Sequence, residues 1–202
     1  VREGQSPLLL TKQRGGTLTE TNAPVDWPQG RALAAGDLNN DLRNDLAIGT
    51  AGKVEVVFNG MTNRASLDTG NFQVSGLALF DYDNDGWLDV CAYGDGLRIW
   101  RNLGQAGFRE TTKELGLEKA APGRVEDLAM ADIDGDCDTD VLLSVAGQGL
   151  RLLRNEGGNA NKQLKLRLLG NRSNATGLGI RIEVTAGRWR TIRTVAKLPV
   201  EI

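Results

Sequence analysis

The chain has 202 residues, a formal net charge of −2 and no histidine. Without histidine the usual general base, the Ser-His-Asp triad and most zinc sites are excluded, so we expect no active site in this chain. An enzymatic domain elsewhere in a longer parent protein stays open. Two cysteines, Cys91 and Cys137, are too few for a disulfide scaffold and are expected to be buried free thiols, with a bridge between adjacent blades as the alternative. No apolar run approaches the roughly 20 residues that a membrane-spanning helix needs.

Three acidic loops recur along the chain with oxygen-bearing side chains at loop positions 1, 3, 5 and 9. These side chains are Asp37, Asn39, Asp41 and Asp45 in the first loop, Asp81, Asp83, Asp85 and Asp89 in the second, and Asp132, Asp134, Asp136 and Asp140 in the third. The backbone carbonyls at position 7, from Arg43, Trp87 and Asp138, add one candidate ligand to each loop. Closely packed carboxylates repel unless a cation neutralises them, and Ca²⁺ takes about six to eight oxygen ligands. The pattern therefore predicts three calcium sites; the alternative is three solvated acidic turns.

The residues around the loops predict strands and not the helices of an EF-hand. An EF-hand loop ends with a bidentate Glu at position 12, where this chain has Ile48, Ala92 and Leu143. Short apolar runs at 77–80 and 90–93 lead into and out of the second loop, and such runs are typical of buried strands. Each metal site is thus predicted in a strand–loop–strand unit.

A second strand and a matching turn follow each loop. The runs at 56–60, 98–102 and 151–155 each contain an Asn, 14, 13 and 15 residues after the last Asp of the loop. The loops themselves start 44 and then 51 residues apart. A repeat of this length built from short strands predicts β-propeller blades or a solenoid. The best helical stretch, 110–117, is predicted to cap a connection between blades.

The tail after residue 159 has a different pattern. Apolar and polar residues alternate at 164–168, 180–184 and 189–195, which predicts an antiparallel meander packed on the last blade. Its expected inward-facing residues are Ile180, Ile182, Val184 and Ile192. Residues 1–159 carry 15 basic and 24 acidic groups, net −9, whereas residues 160–202 carry 9 and 2, net +7. The basic groups are expected on the solvated face of this sheet or docked on the acidic blades, with a polyanion-binding arm as the alternative.

The second and third loops with their flanks, 80–89 and 131–140, resemble the FG-GAP or VCBS class of calcium-binding repeat. The ending at 101–112 resembles the same class. The resemblance covers about residues 32–157 and implies four-stranded β-propeller blades with calcium loops. Residues 8–21 resemble the second half of a blade whose calcium loop is missing.

Two departures from the repeat concern the loops. The family's Gly at position 6 is kept as Gly86 but is replaced by Leu42 and Cys137. The first loop also has Asn39 and Arg43, so it is expected to be the weakest site, because ligand charge tunes calcium affinity.

The start of the tail resembles a second family segment. Residues 170–187 resemble the UnbV/ASPIC segment of cartilage-acidic-protein-like and bacterial proteins. The predicted organisation is therefore all-β. Residues 1–159 form an FG-GAP/VCBS-type β-propeller segment of three calcium-loop repeats plus a partial blade, and residues 160–202 begin an UnbV/ASPIC-like β segment.

Three and a half blades form an open arc with unpaired edges, which closure normally removes. The expected partner is therefore the rest of a parent propeller or a second chain. Loops of this kind suit millimolar calcium, so we expect an extracellular or periplasmic protein. The predicted function is a non-catalytic, calcium-binding scaffold for protein or glycan binding or adhesion, with no nucleic-acid partner. The alternatives are an accessory or catalytic arc of a polysaccharide-active enzyme and a self-assembling structural subunit.

Overall fold

The protein is built almost entirely from antiparallel β-sheet, which confirms the predicted all-β class. The structure is a computed structural model that describes residues 8–22, 27–60, 63–157, 161, 163–170, 174, 176–195 and 200–201. Among these residues, no helix is both long and apolar enough to cross a membrane.

A two-stranded hairpin comes first, where half a blade was predicted. It consists of β1 (Leu8–Lys12) and β2 (Leu18–Asn22). Leu8, Leu10 and Leu18 of this hairpin are all more than half exposed.

Three sheets then carry the three acidic loops. The first sheet has the order β3 (Ala32–Gly36), β4 (Asp45–Thr50), β5 (Lys53–Val57) and β6 (Arg64–Asp68). The second has β7 (Val74–Phe80), β8 (Asp89–Gly94), β9 (Leu97–Asn102) and β10 (Phe108–Glu110). The third has β11 (Val125–Ala131), β12 (Asp140–Val145) and β13 (Gly149–Leu153), so it contains three strands within the described residues. In every sheet the acidic loop joins the first strand to the second, as predicted.

The helix lies further along the chain than the predicted stretch at 110–117. The α-helix between the second and third sheets is α1 (Leu117–Ala120), whereas Glu110 ends β10. Leu117 and Ala121 pack in the core between these sheets, so the short turn is held by tertiary packing and not by helical propensity.

The prediction for the tail was right in pairing its last two strands, and wrong for the first strand and for the sheet against which the hairpin lies. β14 (Lys165–Leu166) pairs with β17 (Val200–Glu201), and β15 (Arg181–Ala186) forms a separate hairpin with β16 (Trp189–Thr194). The tail hairpin, as we call β15 and β16, lies against β3 of the first sheet, whereas the prediction placed it on the last blade. Of the four residues expected to face inward, Ile192 is buried, Ile182 and Val184 are half-buried, and Ile180 is exposed.

Neighbouring sheets share two apolar cores. The core between the first and second sheets includes Ala47, Val54, Val56, Val90, Ala92 and Trp100. The core between the second and third includes Cys91, Leu97, Ile99, Val141, Leu143 and Val145. Successive residues of a strand point to opposite faces, and the second sheet contributes one face to each core. It is therefore buried on both of its faces. This explains why its strands read as continuous apolar runs in the sequence.

An asparagine at the end of the third strand links each of the last two sheets to the preceding loop. The Asn102 Nδ2 donates to the Leu38 carbonyl in the first loop at 2.7 Å and to the Leu88 carbonyl at 3.0 Å. The Asn155 Nδ2 donates in the same way to the Tyr82 carbonyl in the second loop at 2.7 Å. The Asn found by spacing in the sequence is therefore a clamp between sheets.

We predict that Asn102→Ala lowers the free energy of unfolding by about 2 kcal/mol, because it leaves two buried carbonyls without their donor. Chemical denaturation checks this. Asn71→Ala, at an exposed position, is the matched control and is expected to stay within about 0.5 kcal/mol of the wild type. Equal free energies of unfolding for the two variants would show that the Asn102 hydrogen bonds do not stabilise the fold.

Candidate metal centres

The three acidic loops have the same backbone shape. Positive φ angles occur at position 4, in Asn40, Asn84 and Gly135, and at position 6, in Leu42, Gly86 and Cys137. The left-handed region is unfavourable for residues with a Cβ, and Asn tolerates it better than Leu or Cys. The loops that lack Gly at position 6 have therefore kept the turn at a cost in backbone strain.

The carboxylate at position 1 organises each loop from inside. The two oxygens of Asp81 accept hydrogen bonds from the backbone N–H groups of Asp85 at 3.0 Å and Gly86 at 2.7 Å. Asp37 accepts equivalent bonds from Asp41 and Leu42, and Asp132 accepts bonds from Gly135 and Cys137. Position 5 adds a short turn of its own, because Asp85 Oδ1 accepts from the Trp87 N–H at 3.0 Å.

The carboxylates at positions 1, 3 and 5 gather in two of the three loops. Within the described residues, one group consists of Asp81, Asp83 and Asp85 and another of Asp132, Asp134 and Asp136. In each group one oxygen per residue lies within 4.8 Å of the others, so either group could hold a metal ion. The members of the first group are all half-buried, whereas Asp134 and Asp136 of the second are exposed.

The carboxylates at position 9 lie deeper and outside these two groups. Asp89 is fully buried and accepts from the backbone N–H of Tyr82 at 3.1 Å and of Asn102 at 2.7 Å. Asp45 and Asp140 are buried equally and make the same pair of bonds in their own sheets. Each therefore fixes the start of its loop to the end of the third strand, a role that the sequence analysis did not anticipate.

The first loop differs from the other two because amide groups already engage its carboxylate at position 5. Asp41 Oδ2 accepts from the Asn39 Nδ2 at 3.0 Å and from the Asn59 Nδ2 at 2.7 Å. Asn39, at position 3, thus supplies a hydrogen-bond donor where the other two loops have the carboxylates of Asp83 and Asp134. These hydrogen bonds stabilise the Asp41 carboxylate without an ion.

Burial makes the charged form of several loop carboxylates unfavourable. Desolvation raises the pKa of Asp81 to about 6, against the opposing effect of the backbone hydrogen bond from Gly86. It also raises the pKa of Asp45 to about 6 and holds the pKa of Asp89 well above its usual range. Negative charge held in such surroundings favours a bound cation.

Basic side chains that the sequence analysis did not assign to the sites partly meet this need. The Arg101 guanidinium lies 2.5 Å from Asp83 Oδ2 and 3.0 Å from Asp85 Oδ2. In the third loop, Lys165 pairs with Asp132 and lowers the pKa of that carboxyl through a hydrogen bond. The position of Arg101 directly before the repeated Asn was the signal in the sequence.

The tail hairpin contacts the first and second loops. The Arg181 Nη2 donates to the Leu42 carbonyl at 2.6 Å, and the Ile192 backbone N–H donates to Asp37. The Trp189 indole lies so close to the second loop that a Cβ added at Gly86 would be 2.8 Å from its Cζ2. The hairpin therefore covers the side of these loops where the carboxylates at position 1 lie.

Arg193, in β16 of the tail hairpin, is half-buried and carries a positive charge. Burial lowers the pKa of its guanidinium, and the charges of Asp81 and Asp37 act in the opposite direction. One side chain of the basic tail thus interacts with carboxylates of two different loops. Part of the positive charge of the tail therefore interacts with the negative charge of the preceding segment inside the fold.

The geometry agrees with a known class of repeat. An FG-GAP-like repeat is found at residues 81–143, where the family model of that description matches the chain. The match begins at position 1 of the second loop and ends in β12, so it contains both loops in which three carboxylates gather. A comparison with curated proteins gave no match. The VCBS and UnbV/ASPIC resemblances stay predictions.

The two cysteines are free, as expected, but only Cys91 is buried. Burial raises the pKa of the Cys91 thiol to about 12, which keeps it protonated. Cys137 is exposed because position 6 lies at the tip of the third loop.

We predict that Cys137→Gly raises the free energy of unfolding by about 0.5–1 kcal/mol. Glycine removes a left-handed backbone cost of roughly 1–2 kcal/mol and loses part of this gain through its larger unfolded-state entropy. Cys137→Ser keeps the Cβ and is the control, so thermal melting should show a gain for the Gly variant alone. An equal gain for Ser would assign the effect to the thiol.

We predict that Arg193→Gln loosens the tail hairpin while the sheets stay folded. Amide hydrogen exchange in β15 and β16 should accelerate about tenfold, the ratio that a loss of ~1.4 kcal/mol gives. Arg188→Gln, in the exposed turn between the same strands, should leave exchange unchanged. Identical exchange in both variants would contradict the role assigned to Arg193.

Proposed function

We propose that this chain is a calcium-binding, non-catalytic scaffold of propeller-type blades that presents a rigid surface to protein or glycan ligands outside the cell or in the periplasm. The observation that carries the proposal is the pair of three-carboxylate groups in the second and third loops. In both loops the carboxylate at position 1 accepts two backbone N–H bonds from its own loop, so the arrangement belongs to the repeat and not to one local turn.

The donor set fits a hard divalent cation. The side-chain ligands available in the two loops are carboxylate oxygens, and such oxygens suit Ca²⁺, Mg²⁺ or Mn²⁺ better than zinc or copper. Calcium accepts flexible geometry and many oxygen ligands, which agrees with loops that offer three side chains and a carbonyl at position 7. Asp81, Asp83 and Asp85 would hold one ion, and Asp132, Asp134 and Asp136 another. A bound ion would supply positive charge and no reaction chemistry.

The basic partners of the loops favour modest affinity. An ion in the second loop must compete with Arg101 for Asp83 and Asp85, and an ion in the third must compete with Lys165 for Asp132. Such competition lowers affinity toward the roughly 10⁻⁴–10⁻³ M range of extracellular calcium modules. This is the argument for an extracellular or periplasmic setting.

The first loop would be the weakest of the three proposed sites. The Asn39 and Asn59 amides already donate to Asp41, and an ion at this carboxylate would have to replace those bonds. We therefore assign the principal calcium sites to the second and third loops and the lowest affinity to the first.

We predict that the folded wild-type chain binds at least two calcium ions, measured by titration calorimetry. Thermal melting should rise on adding calcium, since an ion at about 100 times its Kd contributes ~2.7 kcal/mol for each site. Asp85→Asn should remove one equivalent and part of the gain in stability. Asp41→Asn, at the same position of the first loop, is the matched control and should keep both principal sites.

Two results would contradict the proposal. One is fewer than two calcium equivalents bound by folded wild-type protein. The other is unchanged binding by Asp85→Asn, which would place the ions elsewhere. Circular dichroism of each variant separates lost binding from lost folding.

A further inference from the structure

The outward face of the third sheet carries apolar residues that have buried counterparts in the other two sheets. Leu152 pairs with Leu142 across β13 and β12, as Ile99 pairs with Cys91 in the second sheet and Val56 with Ala47 in the first. Val56 and Ala47 lie in the core against the second sheet, and Ile99 and Cys91 lie in the core against the third.

The same positions of the third sheet face solvent. Leu150 is 72% exposed and Leu152 is 47% exposed, whereas their counterparts Leu97 and Ile99 are each 4% exposed. Ala129 and Ala131 of β11 are exposed on this face as well. We call this set, with Leu142, the outgoing face. The equivalent positions of the first two sheets pack against a neighbouring sheet, so the outgoing face has the composition of such a packing surface.

A matching surface lies at the other end of the three sheets. Leu77 and Leu79 of the second sheet pack toward the first, and Leu128 and Met130 of the third pack toward the second. Their counterparts in β3 are Leu33, 59% exposed, and Ala35, also exposed. We call these two residues, with the half-buried Leu46 of β4, the incoming face.

The asparagine clamp has the same two open ends. The carbonyls of Leu38 and Tyr82, at position 2 of their loops, accept from the Asn of the following sheet, and Ile133 holds this position in the third loop. Asn59 is the corresponding Asn of the first sheet. Its Nδ2 donates one N–H to Asp41 of its own loop, and an amide nitrogen has a second N–H to donate, as the Asn102 Nδ2 does to two carbonyls.

We propose that this chain associates head to tail with a second copy, the outgoing face of one chain packing on the incoming face of the next. Both faces have the residue types that fill the two sheet-to-sheet cores within the chain. In the contact, the Asn59 Nδ2 of the second copy would donate a hydrogen bond to the Ile133 carbonyl of the first. A head-to-tail contact closes into a ring or extends as a filament, depending on the rotation between copies.

Two complementary variants test this. Leu150→Asp with Leu152→Asp disables the outgoing face, and Leu33→Asp disables the incoming face. In sedimentation equilibrium at protein concentrations up to about 1 mM, association with a Kd as weak as the millimolar range is detectable. The wild type should then show an average mass above that of one chain. Each variant alone should stay at one chain. Their equimolar mixture should form a complex of two chains and grow no further, because one intact face of each kind remains.

Leu115→Asp, at an exposed apolar position outside both faces, is the control and should associate like the wild type. Circular dichroism and melting temperature check that every variant is folded. A wild type that stays at one chain throughout overturns the proposal, as does a mixture of the two variants that fails to associate.

A second measurement does not depend on charged substitutions. Leu33→Cys and Leu152→Cys, each combined with Cys137→Ser, should give a disulfide-linked pair of chains when mixed under mild oxidation. Cross-linking no faster in the mixture than in either variant alone counts against the head-to-tail contact.

Discussion

A buried carboxylate at the start of the second strand holds each repeat together. Asp45, Asp89 and Asp140 are all fully buried, and each accepts one backbone N–H from its own loop and one from the turn after the third strand. A buried charge is tolerated when hydrogen bonds satisfy it, and here the donors come from two separate segments. The loop and the third strand are therefore fixed relative to each other wherever this Asp occurs.

This constraint determines where the other carboxylates lie. With the loop anchored at position 9, the turn between positions 1 and 6 closes around the carboxylate at position 1, and in the second and third loops the carboxylates at positions 3 and 5 gather beside it. The acidic residues of the second loop thus divide into Asp89, which is used within the sheet, and the three that gather near the surface. A cation would act on the second set and strengthen a frame that the first set has already built.

The sequence was informative where one residue type can meet the local requirement. The spacing of Asp residues predicted the loops, and the apolar runs around Asp81 and Asp89 predicted β7 and β8, because a strand buried on both faces has few polar positions. Alternation in the tail predicted strands correctly at 181–186 and 189–194. It did not reveal the pairing of β14 with β17, because alternation shows which residues share a face and not which strand lies alongside.

Long-range charge contacts were the least predictable part of the candidate site. Lys165 reaches Asp132, and Arg193 interacts with Asp37 and Asp81, across many residues of sequence. Long basic side chains on an alternating strand look the same whether they are solvated or paired, so the local pattern left open a solvated face and docking on the acidic blades and identified no partner carboxylate. The exposure of Cys137 was missed for a similar reason, since a Cys at position 6 follows the turn of the loop and not the preference of its side chain.

We propose above that the carboxylates at positions 1, 3 and 5 of the second and third loops bind calcium. Anomalous diffraction from crystals grown with calcium tests it most directly, because it locates the ion as well as counting it. We expect one anomalous peak among Asp81, Asp83 and Asp85 and another among Asp132, Asp134 and Asp136. Ordered loops with no peak at either place, in calcium well above the millimolar range, would contradict it.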